Sequence, residues 1–79
     1  MDTLTATEGK LLSELIRLAG PSRVITGRQL RDTNFADFVA ELYDADVAYP
    51  QSLQSRKLQI LRDKGYITMR NGTYSILSQ

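Results

Sequence analysis

The dipeptide Asn71-Gly72 constrains the fold of this chain more than any other feature of its sequence. It separates two short segments, residues 66–70 and 73–77, in which polar and apolar side chains alternate. Asn-Gly between such segments is the strongest short-range signal for a β-hairpin, because both residues tolerate the positive φ angles of a two-residue turn. The turn pairs Arg70 with Thr73, Met69 with Tyr74, Thr68 with Ser75 and Ile67 with Ile76. The hydrophobic pattern agrees with this register, since one face of the hairpin then holds Ile67, Met69, Tyr74 and Ile76.

A helix is predicted immediately before this hairpin, from about residue 52 to residue 64. With an advance of about 100° per residue, one side of the helix is apolar and is expected to be buried. That side consists of Leu53, Leu58, Ile60 and Leu61. Pro50 fits the first turn of this helix, where its missing N–H is harmless, and Gly65 is suited to end it in a left-handed conformation.

The opposite side of this helix is polar and basic. It carries Ser52, Ser55, Gln59 and Arg62, with Arg56 at its flank. Arginine can bond guanine bidentately, glutamine can do so with adenine, and serine can bond either bases or phosphates. These residues therefore fit a helix that enters the major groove of duplex DNA.

The N-terminal part begins with a capping box. The Thr5 hydroxyl is expected to accept a backbone N–H of the first turn, and Glu8 to reach back to the cap. The apolar residues that follow recur at three- and four-residue spacing, which predicts a helix from Ala6. Gly20-Pro21 should end this helix, because glycine takes the left-handed cap and proline cannot continue.

A strand and a second short helix are predicted next. Residues 23–25 are partly β-branched and too few for a helix, so they indicate a brief strand that pairs with the hairpin. Thr26 and Gln29 form a second capping box, which opens a helix through about Asp32.

A third helix is predicted over residues 34–44. Asn34 can cap it, and its apolar stripe consists of Phe35, Phe38, Val39, Leu42 and Tyr43. The face between these residues is acidic and holds Asp37, Glu41 and Asp44. Residues 44–49 lack periodicity and are expected to form a loop.

Together these elements predict one α+β domain over residues 1–79 with the winged helix-turn-helix fold. It has three to four helices and a small antiparallel sheet, made of the short strand near 23–25 and the wing hairpin 66–77. Helix 52–64 occupies the place of the recognition helix, and the hairpin occupies the place of the wing.

Composition excludes several kinds of chemistry. The chain contains no cysteine and no histidine, so it lacks the commonest general base and the usual metal ligands. We therefore expect no enzyme, no metal, no cofactor and no small-molecule substrate. No apolar run approaches the length of a membrane span and no signal peptide is evident, so we expect a cytoplasmic protein without a membrane partner.

Charge is distributed unevenly along the chain. Residues 32–49 carry a net charge of −5, whereas residues 50–79 carry +4. The basic end coincides with the helix and the wing, which favours double-stranded DNA as the partner. The predicted DNA-binding residues are Ser52, Ser55, Arg56, Lys57, Gln59, Arg62, Arg70 and Asn71. Lys57 falls within the apolar arc, so its stem should follow the edge of the core while its ammonium group reaches outward.

Part of this stretch resembles a known family. Residues 58–67, with the sequence LQILRDKGYI, and Gly72-Thr73-Tyr74 after a tight turn resemble the C-terminal winged-helix domain of methyl-directed restriction endonucleases of the Dam-replacing and DpnI type. The likeness is strong over 50–77, loose over 35–49 and negligible before that. In that family the domain is an accessory reader of adenine-methylated DNA, joined to a nuclease domain. The resemblance implies a small transcription regulator or the reader domain of a restriction system.

The sequence departs from the family pattern where bases would be read. The family prefers an aliphatic residue at Gln54, arginine at Ser55, and glutamines at Arg56 and Lys57. Specificity for methyladenine therefore does not transfer. No nuclease motif is present either, so the chain is expected to be a stand-alone binder or an excised domain.

Two alternatives stay open from the sequence. The acidic helix 34–44, with exposed aromatics such as Tyr43 and Tyr49, fits a winged helix that binds another protein. The other alternative is a homodimer. Its interface would be formed by Leu12 and Leu18 of the first helix and by Leu4, which precedes the helix.

Overall fold

The structure, a computed structural model, describes residues 3–44 and 48–77. The helices of this part are α1 (Ala6–Ala19), α2 (Gly27–Asp32), α3 (Phe35–Leu42) and α4 (Pro50–Asp63). The strands are β1 (Val24–Thr26), β2 (Ile67–Arg70) and β3 (Thr73–Ile76), and a 3-10 turn, Gly20–Ser22, joins α1 to β1. The helices and the three-stranded antiparallel sheet form the predicted α+β architecture, in an order compatible with a winged helix-turn-helix.

Both predicted capping boxes are present. The Thr5 hydroxyl accepts the Glu8 N–H at 3.1 Å, and the Thr5 N–H donates to Glu8 Oε1 at 2.9 Å. Thr26 and Gln29 repeat this exchange at the start of α2, at 3.1 Å and 2.9 Å. Since each box satisfies helix-terminal N–H groups with side chains three residues apart, both were predictable from local sequence.

The structure corrects two local predictions. β1 begins one residue later than expected, because Arg23 has a left-handed conformation (φ 58°) and its N–H closes the 3-10 turn on the Gly20 carbonyl. Asn34 precedes α3 but forms no side-chain cap, since it also lies in the left-handed region (φ 56°). Of the predicted loop 44–49, residues 45–47 lie outside the described residues.

The predicted hairpin register is confirmed in all four pairs, from Arg70–Thr73 to Ile67–Ile76. Asn71 and Gly72 have φ angles of 52° and 75°, as a type I′ turn requires. β1 joins the free edge of β3, so the strand order is β1-β3-β2 and the expected three-stranded sheet forms.

The core lies between the sheet and the helices. Its buried residues are Leu11, Leu12, Leu15, Ile25, Leu30, Phe35, Val39, Leu53, Leu58, Leu61, Ile67 and Ile76. Ile60, expected to be buried, is only half-buried. Leu12 belongs to this core, and Leu4 and Leu18 pack against it. The leucines on which a dimer interface was predicted are thus largely used within the protomer.

The end of α4 leads directly into the wing. The Gly65 N–H donates to the Arg62 carbonyl and the Tyr66 N–H to the Leu61 carbonyl, both at 3.0 Å. Gly65 has the predicted left-handed conformation (φ 91°). Together with the two hydrogen bonds, this conformation makes the end of α4 a Schellman motif. The motif fixes the angle at which the chain turns from α4 into β2.

Candidate nucleic-acid interface

The polar face of α4 is built as predicted. Leu53, Leu58 and Leu61 are buried and attach the helix to the core. The predicted face residues on the helix are all exposed, namely Ser52, Ser55, Arg56, Gln59 and Arg62. One side of α4 therefore offers hydroxyl, amide and guanidinium groups to solvent over most of its length.

The arginines of this face are free enough to exchange partners. Arg62 pairs with Asp63 at 3.5 Å, but the two side chains are 41% and 63% exposed. An exposed pair of this kind contributes little stability, so a phosphate can compete for the guanidinium. Within the described part of the chain, Arg56 has no ion pair.

The wing is short, and the backbone of its tip is hydrogen-bonded to the start of α2. The Gly27 N–H, at the start of α2, donates to the Gly72 carbonyl at 2.8 Å. Arg70 and Asn71 are exposed at this tip. Because side chains alternate along β2, Arg70 lies on the sheet face opposite to Met69. The predicted site is thus divided between the α4 face and a tip whose backbone is held in place.

Lys57 is placed apart from this face. Its Nζ lies 4.4 Å from the centre of the Tyr43 ring, in a cation–π contact between α4 and the end of α3. Burial, and secondarily the charge of Glu8, raises the pKa of Tyr43. In the described part of the chain the buried Tyr43 hydroxyl has no hydrogen-bond partner. Lys57 is half-buried at the core edge as predicted, but its ammonium group lies over the Tyr43 ring instead of reaching outward. This contact favours a structural role over a contact with DNA.

Among the described residues, α4 borders a cleft at its N-terminus and another beside the wing. The larger, of about 400 Å³, lies at its N-terminus and is lined by Gly27, Arg31, Asn34, Ala36, Asp37, Pro50, Gln51 and Gln54. Arg31 and Gln51 were not among the predicted site residues. Gln51 could have been found, because the same helical wheel puts it about 160° from Leu53, beside Arg62. Arg31 lies on another helix, and no spacing in the sequence connects it to α4.

The smaller cleft lies between α4 and the wing and has a volume of about 170 Å³. Its lining residues are Ser55, Leu58, Gln59, Arg62, Ile67, Met69 and Tyr74. We call it the helix–wing cleft. It brings part of the predicted α4 face next to the apolar face of the hairpin.

In residues 3–44 and 48–77, no group of three or more potential metal-ligating side chains lies together. No helix in this part of the chain is both long and apolar enough to cross a membrane.

Comparisons of the chain with protein-family models, curated proteins and solved structures found no significant match. The resemblance to the winged-helix domain of restriction endonucleases thus stays a prediction from the sequence.

Proposed function

We propose that this protein is a double-stranded DNA-binding winged-helix module. In this proposal α4 enters the major groove and the wing, residues 66–77, contacts the backbone or the minor groove. The observation that carries the proposal is the exposed face of α4, on which Ser55, Gln59 and Arg62 lie together while the opposite side is anchored in the core.

The dimensions of α4 suit this role. A helix of 14 residues is about 21 Å long, and the major groove is about 12 Å wide and 8.5 Å deep. Ser52 and Ser55 near the N-terminus are small, so this half can approach base edges closely. Arg56 and Arg62 have the longer reach that phosphates at the groove edge require.

The distribution of charge restricts how DNA can approach. Asp37 and Glu41 on α3 are exposed, and Asp37 lines the larger cleft beside Gln51. Arg31 lines the same cleft, so the two charges offset one another and a phosphate gains no net attraction there. The helix–wing side has Arg62 as the charged residue of its cleft, so we propose that DNA lies on this side of α4.

A salt-dependent binding assay tests the proposal. Fluorescence anisotropy of a labelled random-sequence duplex should show binding at low salt that weakens steeply between about 50 and 200 mM salt, as counterion release requires. Absence of duplex binding by the folded protein at the lowest salt would sink the proposal. A selection from methylated and unmethylated duplex libraries would then define the sequence that is bound.

The biological setting follows as part of the same proposal. A cytoplasmic transcription regulator and the reader domain of a restriction system both need a module of this kind. If it is a reader, selection should recover one methylation state of a short site. If it is a regulator, selection should recover a sequence irrespective of methylation.

A second candidate is a protein-binding winged helix. It is favoured by Tyr49, whose side chain is 76% exposed just before α4, and by the exposed acidic residues Asp37 and Glu41. A partner that is lost on reversing the charges of Glu41 and Asp44, in a protein without duplex affinity, would support this alternative.

A further inference from the structure

The helix–wing cleft combines two kinds of surface. Its α4 side carries Ser55, Gln59 and Arg62, which are exposed and polar. Its floor and its wing side are apolar, with Leu58 and Ile67 buried and Met69 at the rim. Met69 is 48% exposed, although Ile67 and Ile76 on the same face of the hairpin are buried.

A single exposed apolar side chain is ordinary on a protein surface, so the position of Met69 matters more than its exposure. It lines the same cleft as Ser55 and Gln59, where apolar and polar groups converge. Met69 pairs with Tyr74 across the hairpin, and Tyr74 lines the same cleft. The thioether side chain is flexible and polarisable, so it adapts to small apolar groups. A ligand that reaches this rim also meets Ser55 and Gln59.

We propose that the helix–wing cleft is a specificity subsite for the C5-methyl group of a thymine in the major groove. This inference rests on the proposed DNA-binding function and adds what the site would read. Thymine presents a methyl group on its major-groove edge, where guanine and adenine present only polar groups. On the apolar side of the cleft, beside Leu58 and Met69, a polar base edge would lose water without gaining a partner, whereas a methyl group gains apolar contact. Partners for polar groups lie on the α4 side, at Ser55, Gln59 and Arg62.

The size and charge of the cleft agree with this occupant. A volume of about 170 Å³ admits a methyl group together with part of the pyrimidine edge. Arg62 is the charged residue in the lining, and its guanidinium can bind a neighbouring phosphate or guanine. A nucleic acid thus matches both surfaces of the cleft at once.

The test compares thymine with uracil, which lacks only this methyl group. A duplex obtained by selection is remade with each thymine replaced singly by deoxyuridine, and binding is measured by anisotropy. We expect one position at which the affinity falls about fourfold, the effect of removing one buried methyl group. In Met69→Ala the thymine and uracil duplexes should bind within about twofold of each other.

Val24→Ala is the matched control. Val24 is 41% exposed, lies on β1 of the same sheet and is not among the residues lining the cleft. This variant should keep the preference for thymine. Replacing the thymine pair by a cytosine or 5-methylcytosine pair separates the two pyrimidines that carry a C5-methyl group: thymine should bind best, and 5-methylcytosine should bind better than cytosine.

The outcomes separate the two proposals. If the protein binds no duplex, both the function and the subsite fail. If it binds a selected duplex but uracil is tolerated at every position, or if Met69→Ala keeps the discrimination, only the subsite is overturned. If Met69→Lys abolishes binding of a protein ligand but leaves duplex binding unchanged, the cleft belongs to that ligand. This result would also overturn the thymine subsite.

Discussion

The Lys64 ammonium group lies 2.6 Å from Glu8 Oε1, and this contact joins the end of α4 to the first turn of α1. Lys64 also donates to the Thr3 carbonyl at 3.2 Å. The same Glu8 oxygen accepts the Thr5 N–H of the capping box. One carboxylate therefore closes the cap of α1 and links α1 to the end of α4. Lys64, the cation nearest the start of the wing, is thus used within the protein.

This link predicts a loss of stability in Glu8→Gln. The Glu8 and Lys64 side chains are only 12% and 21% exposed, so their hydrogen bond is better shielded than a surface ion pair. We expect the free energy of unfolding to fall by about 1 kcal/mol, measured by urea denaturation. Glu14→Gln, which removes an ion pair to the more exposed Arg17, should have a smaller effect.

The same link predicts a dependence on pH. The hydrogen bond from Lys64, followed by that from the Thr5 backbone, lowers the pKa of Glu8 from its ordinary value of 4.5. A carboxyl group whose pKa is lower in the folded state stabilises the protein above the unfolded pKa. That contribution is lost as the pH falls through the folded pKa. The stability difference between the wild type and Glu8→Gln should be full at neutral pH and shrink below 4.5; a constant difference down to acid pH would contradict the link.

On the α4 face, Arg56→Ala and Arg62→Ala should each weaken duplex binding. If either contacts a phosphate, the slope of log affinity against log salt should decrease by about one. If either reads a base, affinity should fall mainly for the preferred sequence. Anisotropy titrations at several salt concentrations distinguish these cases. Arg70→Ala at the wing tip is expected to decrease the slope of log affinity against log salt.

Lys10→Ala is the control for these arginines, because Lys10 is exposed on α1 and is no part of the proposed interface. It removes the same charge and should change affinity far less. Equal losses in Lys10→Ala and Arg62→Ala would mean that net charge alone, rather than the α4 face, drives binding.

Lys57→Ala should affect stability more than binding. The cation–π contact with Tyr43 predicts a loss of about 0.5–1 kcal/mol in the free energy of unfolding. Lys57→Arg keeps the cation and should retain most of this stability. If Lys57→Ala instead reduces the salt slope by as much as Arg56→Ala, the lysine leaves the ring to contact DNA.

Gly72 in the wing turn and Gly27 at the start of α2, which are joined by a hydrogen bond, should respond differently to substitution by alanine. Gly72 has a φ of 75°, so Gly72→Ala should cost about 1 kcal/mol. A Cβ at Gly27 would lie 3.6 Å from the Gly72 carbonyl oxygen, which is ordinary contact distance. Gly27→Ala should therefore leave the free energy of unfolding within about 0.5 kcal/mol of the wild type or raise it. Thermal unfolding of both variants checks this contrast.

Much of the fold follows from short-range rules. The hairpin register was predictable because a two-residue turn and the alternation of Ile67 to Ile76 both specify it. The capping boxes at Thr5 and Thr26 and the exposed face of α4 followed from fixed spacings. The one-residue error at β1 arose because Arg23 takes a left-handed conformation without glycine, which no local signal indicates.

By itself, then, the sequence determined the elements, the wing register and the face that α4 turns to solvent. Only the tertiary structure decided which neighbour each side chain meets. It placed Lys57 against Tyr43 and Lys64 against Glu8, and it set Met69 beside the α4 face. The physical reason is that periodicity specifies a direction around one helix or strand, whereas a contact or a cleft depends on how separate elements pack against one core.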